Sequence, residues 1–260
     1  MQQAPFPDLE VLKAQVKERI LADRERRSQY TYMERREEIE FSKLGRVSDG
    51  PVKVYEVYPS PEPGNTYKRL LSVNGKPLTP EELARNDQIH RRDVLERLNE
   101  SPEKKAKRKR EEEKDRAEER ALVDEVFRLY DMRLVQRDVF DGHPCIVVAL
   151  APRPDYRPRT DAGKLMKKVR IRAWVHETEH EVVRVDAEAI EDITVGWGLI
   201  GRLHKGTTGQ FLRRRISDGA WMPYKASVGT GFSPRGSRSR RVVVMVCGGP
   251  RWGPRNDIGP

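Results

Sequence analysis

The chain has only two cysteines in 260 residues, Cys145 and Cys247. Neither falls in a paired metal-ligand spacing, so a zinc ribbon or zinc finger is excluded as the organising principle, while a disulfide between the two is open but unsupported. Cys145 lies in an apolar strand pattern and reads as a small buried residue. Long apolar runs are also missing. The longest, Ile146 to Ala151 and Val242 to Cys247, have strand length and fall far short of the roughly 18 residues of a membrane-crossing helix. Aromatic residues are sparse at 7%. The numbered start, Met1-Gln2-Gln3-Ala4-Pro5, has neither a basic segment nor an apolar h-region. Taken as written, that start suits a cytoplasmic chain. It also suits the polar beginning of a mature exported protein whose leader is not included.

Charge is abundant instead, at 35% of residues with a formal surplus of +10. Such a surplus suits either an anionic partner, such as nucleic acid or a lipid headgroup, or a solvated basic surface. Charge is densest in residues 79–130. Thr79-Pro80-Glu81-Glu82 has the form of a capping box with proline at the first helical position. Ser101-Pro102-Glu103 repeats the signal, so two helices should meet near Asn99 to Ser101. Nine Lys/Arg and seven Asp/Glu crowd Glu103 to Arg120, with two alanines as the apolar residues. A helix this polar all round stands in solvent. The acidic residues would repel a phosphate backbone, and no aromatics interleave, so nucleic acid is not the expected partner. Apolar spacing returns at Leu122, Val123, Val126, Phe127, Leu129 and Tyr130, where the helix should dock.

The flanks read as strands. Asp8 caps an amphipathic helix with Leu9, Leu12, Val16 and Ile20 on one stripe. Tyr30 to Phe41, Val52 to Tyr58 and Tyr67 to Val73 have strand composition, and Asn74-Gly75 is a turn signal. After the charged block come Arg133 to Phe140 and His143 to Leu150 around Asp141-Gly142, then Val169 to Val175 with Val182 to Ile190. Thr207 to Ile216 and Trp221 to Val228 follow as one more hairpin. Strands segregated from helices argue an α+β antiparallel sheet. One face should carry Tyr30, Tyr32, Tyr67, Leu71, Ile146, Val148, Val169, Ile171, Val183 and Val185, with Arg170, Arg172, Arg184 and Asp186 toward water. Residues 229–260 differ, with seven Gly, four Pro, and six Arg against the single acidic Asp257. This segment is expected to be disordered or non-native, resembling an out-of-frame read; an Arg-rich anion-binding arm is the functional alternative.

Two motifs match by letter. His176-Glu177-Thr178-Glu179-His180 fits H-E-x-x-H, which on a helix sets two imidazoles on one face to hold zinc, with the glutamate as base. Here it lies between two alternating strands and reads as their solvated turn, so a zinc-dependent hydrolase through His176 and His180 is the lesser reading. Gly196-x-Gly198-x-x-Gly201 lacks the strand–turn–helix frame of a dinucleotide fingerprint and reads as a loop. No cofactor is indicated, and no catalytic residue.

Several pieces carry a resemblance: Tyr30-Thr31-Tyr32-Met33-Glu34-Arg35, Tyr55-Glu56-Val57-Tyr58-Pro59, Asn74-Gly75-Lys76-Pro77-Leu78 and Arg202-Leu203-His204-Lys205-Gly206. With the turns Asp141-Gly142-His143-Pro144 and Gly219-Ala220-Trp221-Met222-Pro223, they resemble bacterial relatives of the periplasmic outer-membrane lipoprotein carriers over residues 8–228. The resemblance implies an open half-barrel, a curled antiparallel sheet with helices on its concave face; residues 79–130 would be a charged helical insertion. It also implies export to the periplasm and a non-catalytic role, binding a lipid or lipoprotein acyl chain. The cavity would be lined by Tyr30, Tyr32, Tyr67, Leu71, Ile146, Val148, Ile171, Val183 and Val185, with Trp197, Leu199 and Ile200 as its rim. A protein-interaction module of the cell envelope, docking a partner through the charged helices, is the alternative.

Overall fold

The structure, a computed structural model, describes residues 5–41, 47–60, 66–195, 201–216, 219–229 and 241–246, with side chains excepted at 38–41, 47–49, 194–195, 201–202 and 241–246. Helix α1 (Leu9–Arg27) starts where Asp8 Oδ1 accepts the amides of Glu10 and Val11, at 2.9 and 3.0 Å. Strands β1 (Tyr32–Phe41), β2 (Val47–Tyr58), β3 (Tyr67–Val73) and β4 (Lys76–Pro77) follow. The β3–β4 turn has Asn74 at φ 50° and Gly75 at φ 77°, the left-handed region that the Asn-Gly pair tolerates.

Helices α2 (Pro80–Leu98) and α3 (Pro102–Leu129) come next. The expected capping box is present: Glu82 N donates to Thr79 Oγ1 (3.2 Å) and Thr79 N donates to Glu82 Oε2 (2.8 Å). Ser101 caps α3, so the break falls at Asn99 to Ser101 as the prolines dictate. Then come β5 (Tyr130–Phe140), β6 (His143–Pro152), the short α4 (Asp161–Met166), β7 (Val169–His176) and β8 (Val182–Ala189). A small hairpin, β9 (Ile193–Val195) with β10 (Gly201–Leu203), precedes β11 (Thr208–Arg215), β12 (Trp221–Gly229) and β13 (Arg241–Val246).

The α+β antiparallel class holds. The main sheet runs β4-β3-β2-β1-β13-β12-β11-β8-β7-β6-β5. Its spatial order places β13 between a four-stranded part and a six-stranded part. Thus β13, taken from the segment expected to be disordered or non-native, pairs with β12 from Gly229↔Arg241 to Lys225↔Val246 and with β1 at Arg36↔Val244. Those six residues form a strand of the main sheet. The curled half-barrel needs correction, because the sheet is open and not strongly curled. The apolar packing does not draw all the strands around one concavity. Among the described residues, neither apolar cluster contains a side chain of β1–β4. That part meets α2 through charged and aromatic groups instead. Arg69 grips Asp87 with Nε at 2.7 Å and Nη2 at 2.6 Å, and Tyr67 stacks on His90 with centroids 3.6 Å apart.

The main core lies where α1 and the end of α3 cover β5–β7. It joins Leu12 and Val16 of α1, Leu129 of α3, Tyr130 and Met132 of β5, Ile146, Val148 and Leu150 of β6, and Ala173 and Val175 of β7. Of the charged block, Leu129 and Tyr130 dock as their spacing predicts. Leu95 and Leu98 do not join this core and are 57% and 76% exposed, because α2 packs on β3.

Candidate functional site

The apolar face of β5–β7 is the site where the sequence placed a lipid cavity, and its geometry starts from strand alternation. Ile146, Val148 and Leu150 share one side of β6 and face Ile171, Ala173 and Val175 through the register pairs Ile146↔Val175, Val148↔Ala173 and Leu150↔Ile171. Side chains from α1 and α3 occupy the space above them, with Leu9, Val126, Phe127 and Met166 packed at the margin. Tyr130 anchors the end of α3: its hydroxyl donates to the carbonyl oxygens of Met166 (2.7 Å) and Val169 (3.0 Å). Burial pushes its phenol pKa up.

The expected cavity residues do not converge. Ile146, Val148 and Ile171 belong to this face, and Val185 pairs with Ala173 beside it. Val183 lies on the opposite face with Cys145, Val147, Trp174 and Trp221. The β7–β8 ladder shifts register between Trp174 and Val175, which inverts the side of Val183 relative to simple alternation. Tyr67 and Leu71 lie on β3, whose packing partner is α2, and Tyr32 lies on β1. Tyr30 lines a cleft at the end of α1. Trp197, Leu199 and Ile200 fall outside the described residues, as do Gly196 and Gly198 of the glycine motif, Cys247 and most of the tail.

What the sequence did not disclose is how α1 is held. Glu181 and Arg213 are buried, with side chains 4% and 8% exposed. Arg213 Nη1 donates to Glu181 Oε2 (2.9 Å), and its Nη2 donates to Asp23 Oδ1 and to the Trp221 carbonyl, both at 2.5 Å. Arg26 pairs with the other oxygen of Glu181. Two residues of the last turns of α1 are therefore tied to the sheet through one buried network. Farther out, Lys17–Asp124 and Arg24–Glu119 join α1 to α3 as half-exposed pairs, worth about 0–1 kcal/mol each. The N-terminal half of α1 is held by Leu12 and Val16 with Leu9 at the margin, and the residues just before it by Arg137, whose Nη2 donates to the Pro5 carbonyl at 3.0 Å. No periodicity announces this arrangement, since Arg213 sits in an Arg-Arg-Arg run that reads as surface.

A second buried carboxylate fixes α3 to α4. Glu125 accepts from the amides of Arg159 and Thr160 and from Thr160 Oγ1. Burial opposes its charge, but these donors prevail and hold the pKa below the ordinary value. Gly163 stands against this carboxylate so closely that an added Cβ would collide with it.

The H-E-x-x-H segment is the β7–β8 turn, as its flanks predict, but it is not simply solvated. His176 is buried, and its Nδ1 accepts from Glu179 N at 3.2 Å. Its ring lies 5.5 Å from His143 and 5.7 Å from Trp221, centroid to centroid. His180 ends the turn at φ 56°. Burial lowers the pKa of both His176 and His180. Among the described residues no three His, Cys, Asp or Glu side chains gather to hold a metal.

The opposite face of the sheet carries a polar concavity of about 840 Å³ lined by Arg133, Arg170, Arg172, Asp186, Glu188 and Lys225, among others. Arg170 and Arg172 are exposed, as alternation predicts, while Arg184 and Asp186 are half-buried and pair with each other.

No family profile and no curated protein matches the chain. Two solved structures are similar in fold. One is a provisionally assigned outer membrane lipoprotein-sorting protein domain from Vibrio parahaemolyticus, 10% identical, covering 92% of this chain and 93% of its own at a TM-score of 0.34. The other is a DUF1329 family protein from Desulfovibrio piger, 14% identical over 90% of each chain at a TM-score of 0.29. No helix among the described residues is long and apolar enough to cross a membrane.

Proposed function

We propose that the protein is a non-enzymatic lipid-binding protein of the bacterial periplasm, which takes an acyl chain of a lipid or lipoprotein between α1 and the apolar face of β5–β7. The observation that carries this reading is the uneven hold on α1. Its C-terminal turns are clamped by Glu181 and Arg213, whereas its N-terminal half covers the apolar face with two fully seated side chains. Burial of Leu12 and Val16 stabilises that cover by roughly 3–6 kcal/mol. An acyl chain of about fourteen methylenes, at about 0.8 kcal/mol each, gains roughly 11 kcal/mol on the same face. Exchange of one for the other is favourable by roughly 5–8 kcal/mol before the cost of association, so the affinity should be micromolar or weaker. Residues 9–16 act as the lid and residues 22–27 as its hinge. The sequence resemblance to the lipoprotein carriers supports the same reading, including the periplasmic location.

Titration of delipidated protein with a fluorescent fatty acid, with native mass spectrometry for stoichiometry, tests this. One chain per protein is expected, with at least tenfold tighter binding when Leu12→Ala and Val16→Ala weaken the lid. Absence of saturable binding in both proteins contradicts it. The interaction-module reading keeps one supporting observation, the exposure of Leu95 and Leu98 on α2. Capture of an envelope protein that is lost on Leu95→Glu would favour it.

A further inference from the structure

The cleft at the C-terminal end of α1 is lined by five arginines: Arg19, Arg26 and Arg27 from α1, and Arg213 and Arg215 from β11. Its volume is about 410 Å³, within the range of small-ligand pockets. Three carboxylates answer them. Asp23 and Glu181 hold Arg213, Glu181 also holds Arg26, and Glu179 Oε1 holds Arg215 at 2.9 Å. Arg27 Nε lies 2.7 Å from Asp23 Oδ2. Five guanidinium groups against three carboxylates leave two positive charges without a counter-charge. Arg19 has no acidic partner among the described residues. The Nε atoms of Arg26 and of the nine-tenths-buried Arg213 have no hydrogen-bond acceptor. Unsatisfied buried guanidinium donors are costly, and the exposed Arg19 with the part-exposed Arg26 and Arg215 present further donors to an incoming oxyanion. The cleft is also bounded by Trp221 and Met222, both buried, and such apolar walls strengthen charge pairing. The helix C-terminus opposes an anion, but Arg26 Nη2 already donates to the Arg19 carbonyl at 2.8 Å and reduces that effect.

We infer that this cleft is a binding site for a phosphate-type dianion, whose charge of about −1.5 to −2 at neutral pH matches the surplus. The site needs no opening of the lid, so it stands whether or not an acyl chain binds beneath α1. The anion can come from a free phosphate or phosphomonoester, or from the headgroup of a phospholipid such as phosphatidic acid.

The test uses the full chain at constant ionic strength. Inorganic phosphate and phenyl phosphate are titrated calorimetrically. Flotation then compares vesicles of phosphatidylcholine alone with vesicles containing phosphatidic acid. Arg19→Gln removes an unpaired, exposed guanidinium and should leave the fold intact by circular dichroism. It is expected to weaken binding at least tenfold, as is Arg215→Gln. Arg24→Gln, whose partner Glu119 lies outside the cleft, should change binding less than twofold. Saturable phosphate binding lost in Arg19→Gln identifies a soluble ligand. Binding only to phosphatidic acid vesicles, again lost in Arg19→Gln, identifies a headgroup. If wild type binds neither, or if Arg19→Gln and Arg215→Gln bind as wild type does, the inference is overturned.

Discussion

Glu181→Gln isolates the clamp on α1. The wild-type carboxylate is buried between Arg26 and Arg213, one oxygen to each. Glutamine keeps the shape and one acceptor oxygen, but it turns an amide N–H₂ toward the other guanidinium. Arg213 would retain Asp23 and the Trp221 carbonyl, while Arg26 would lose its carboxylate partner. Removing one member of a buried ion pair costs about 3–5 kcal/mol, because the remaining charge stays desolvated. At a urea m-value of roughly 2–3 kcal/mol/M, that is a midpoint shift of about 1–2.5 M. The Lys17–Asp124 pair provides the internal comparison, since Asp124→Asn should cost no more than about 1 kcal/mol. Equilibrium urea unfolding followed by far-UV circular dichroism measures both. A Glu181→Gln shift as small as that of Asp124→Asn would refute the reasoning, because the network would then not hold the helix.

Three further outcomes follow from the same geometry. Gly163→Ala should cost about 1–3 kcal/mol in thermal or urea unfolding, because the new methyl group meets the Glu125 carboxylate, which is fixed by its own hydrogen bonds. The buried His176 and the half-buried His180 have lowered pKa values, so the unfolded chain binds protons first as pH falls. Their contribution to stability is complete above about pH 6.5 and is lost as pH drops through the folded-state values; unfolding measured across this range should show the slope reduced in His176→Gln. Ending the chain at Gly229 removes β13 and leaves β1 and β12 as unpaired edges, so size-exclusion chromatography should show increased self-association.

Local chemistry made much of the fold readable. Asp8, Thr79 and Ser101 cap helices because their side-chain oxygens reach free amides two or three residues on, and those contacts are short-range. Asp141-Gly142 and Asn74-Gly75 fix their turns because these residues tolerate positive φ, which is also a local property. The docking of Leu129 and Tyr130 was visible as a return of apolar spacing. Tertiary effects were not visible. A register shift beside Trp174 moved Val183 to the other face, and a one-residue shift leaves no mark in composition. Tyr67 and Leu71 looked like lining residues, but charged contacts between β3 and α2 give that part of the sheet a separate partner. The clamp was hidden because a buried arginine and a surface arginine have the same letter. Arg213 is identified only by Glu181, Asp23 and Trp221, which lie far from it in sequence or across a turn. The β13 pairing was masked by the composition around it, although Val242 to Val246 is itself a good strand sequence.

On the proposed reading, the first half of α1 is a lid hinged on a buried clamp. Hydrogen–deuterium exchange of the delipidated protein, with and without saturating palmitate, tests it most directly. Faster exchange is expected at residues 9–16 when palmitate is bound, with protection kept at residues 22–27 and gained or unchanged in β6 and β7. Palmitate binding with α1 unchanged along its whole length, or with both halves of α1 released together, would contradict it.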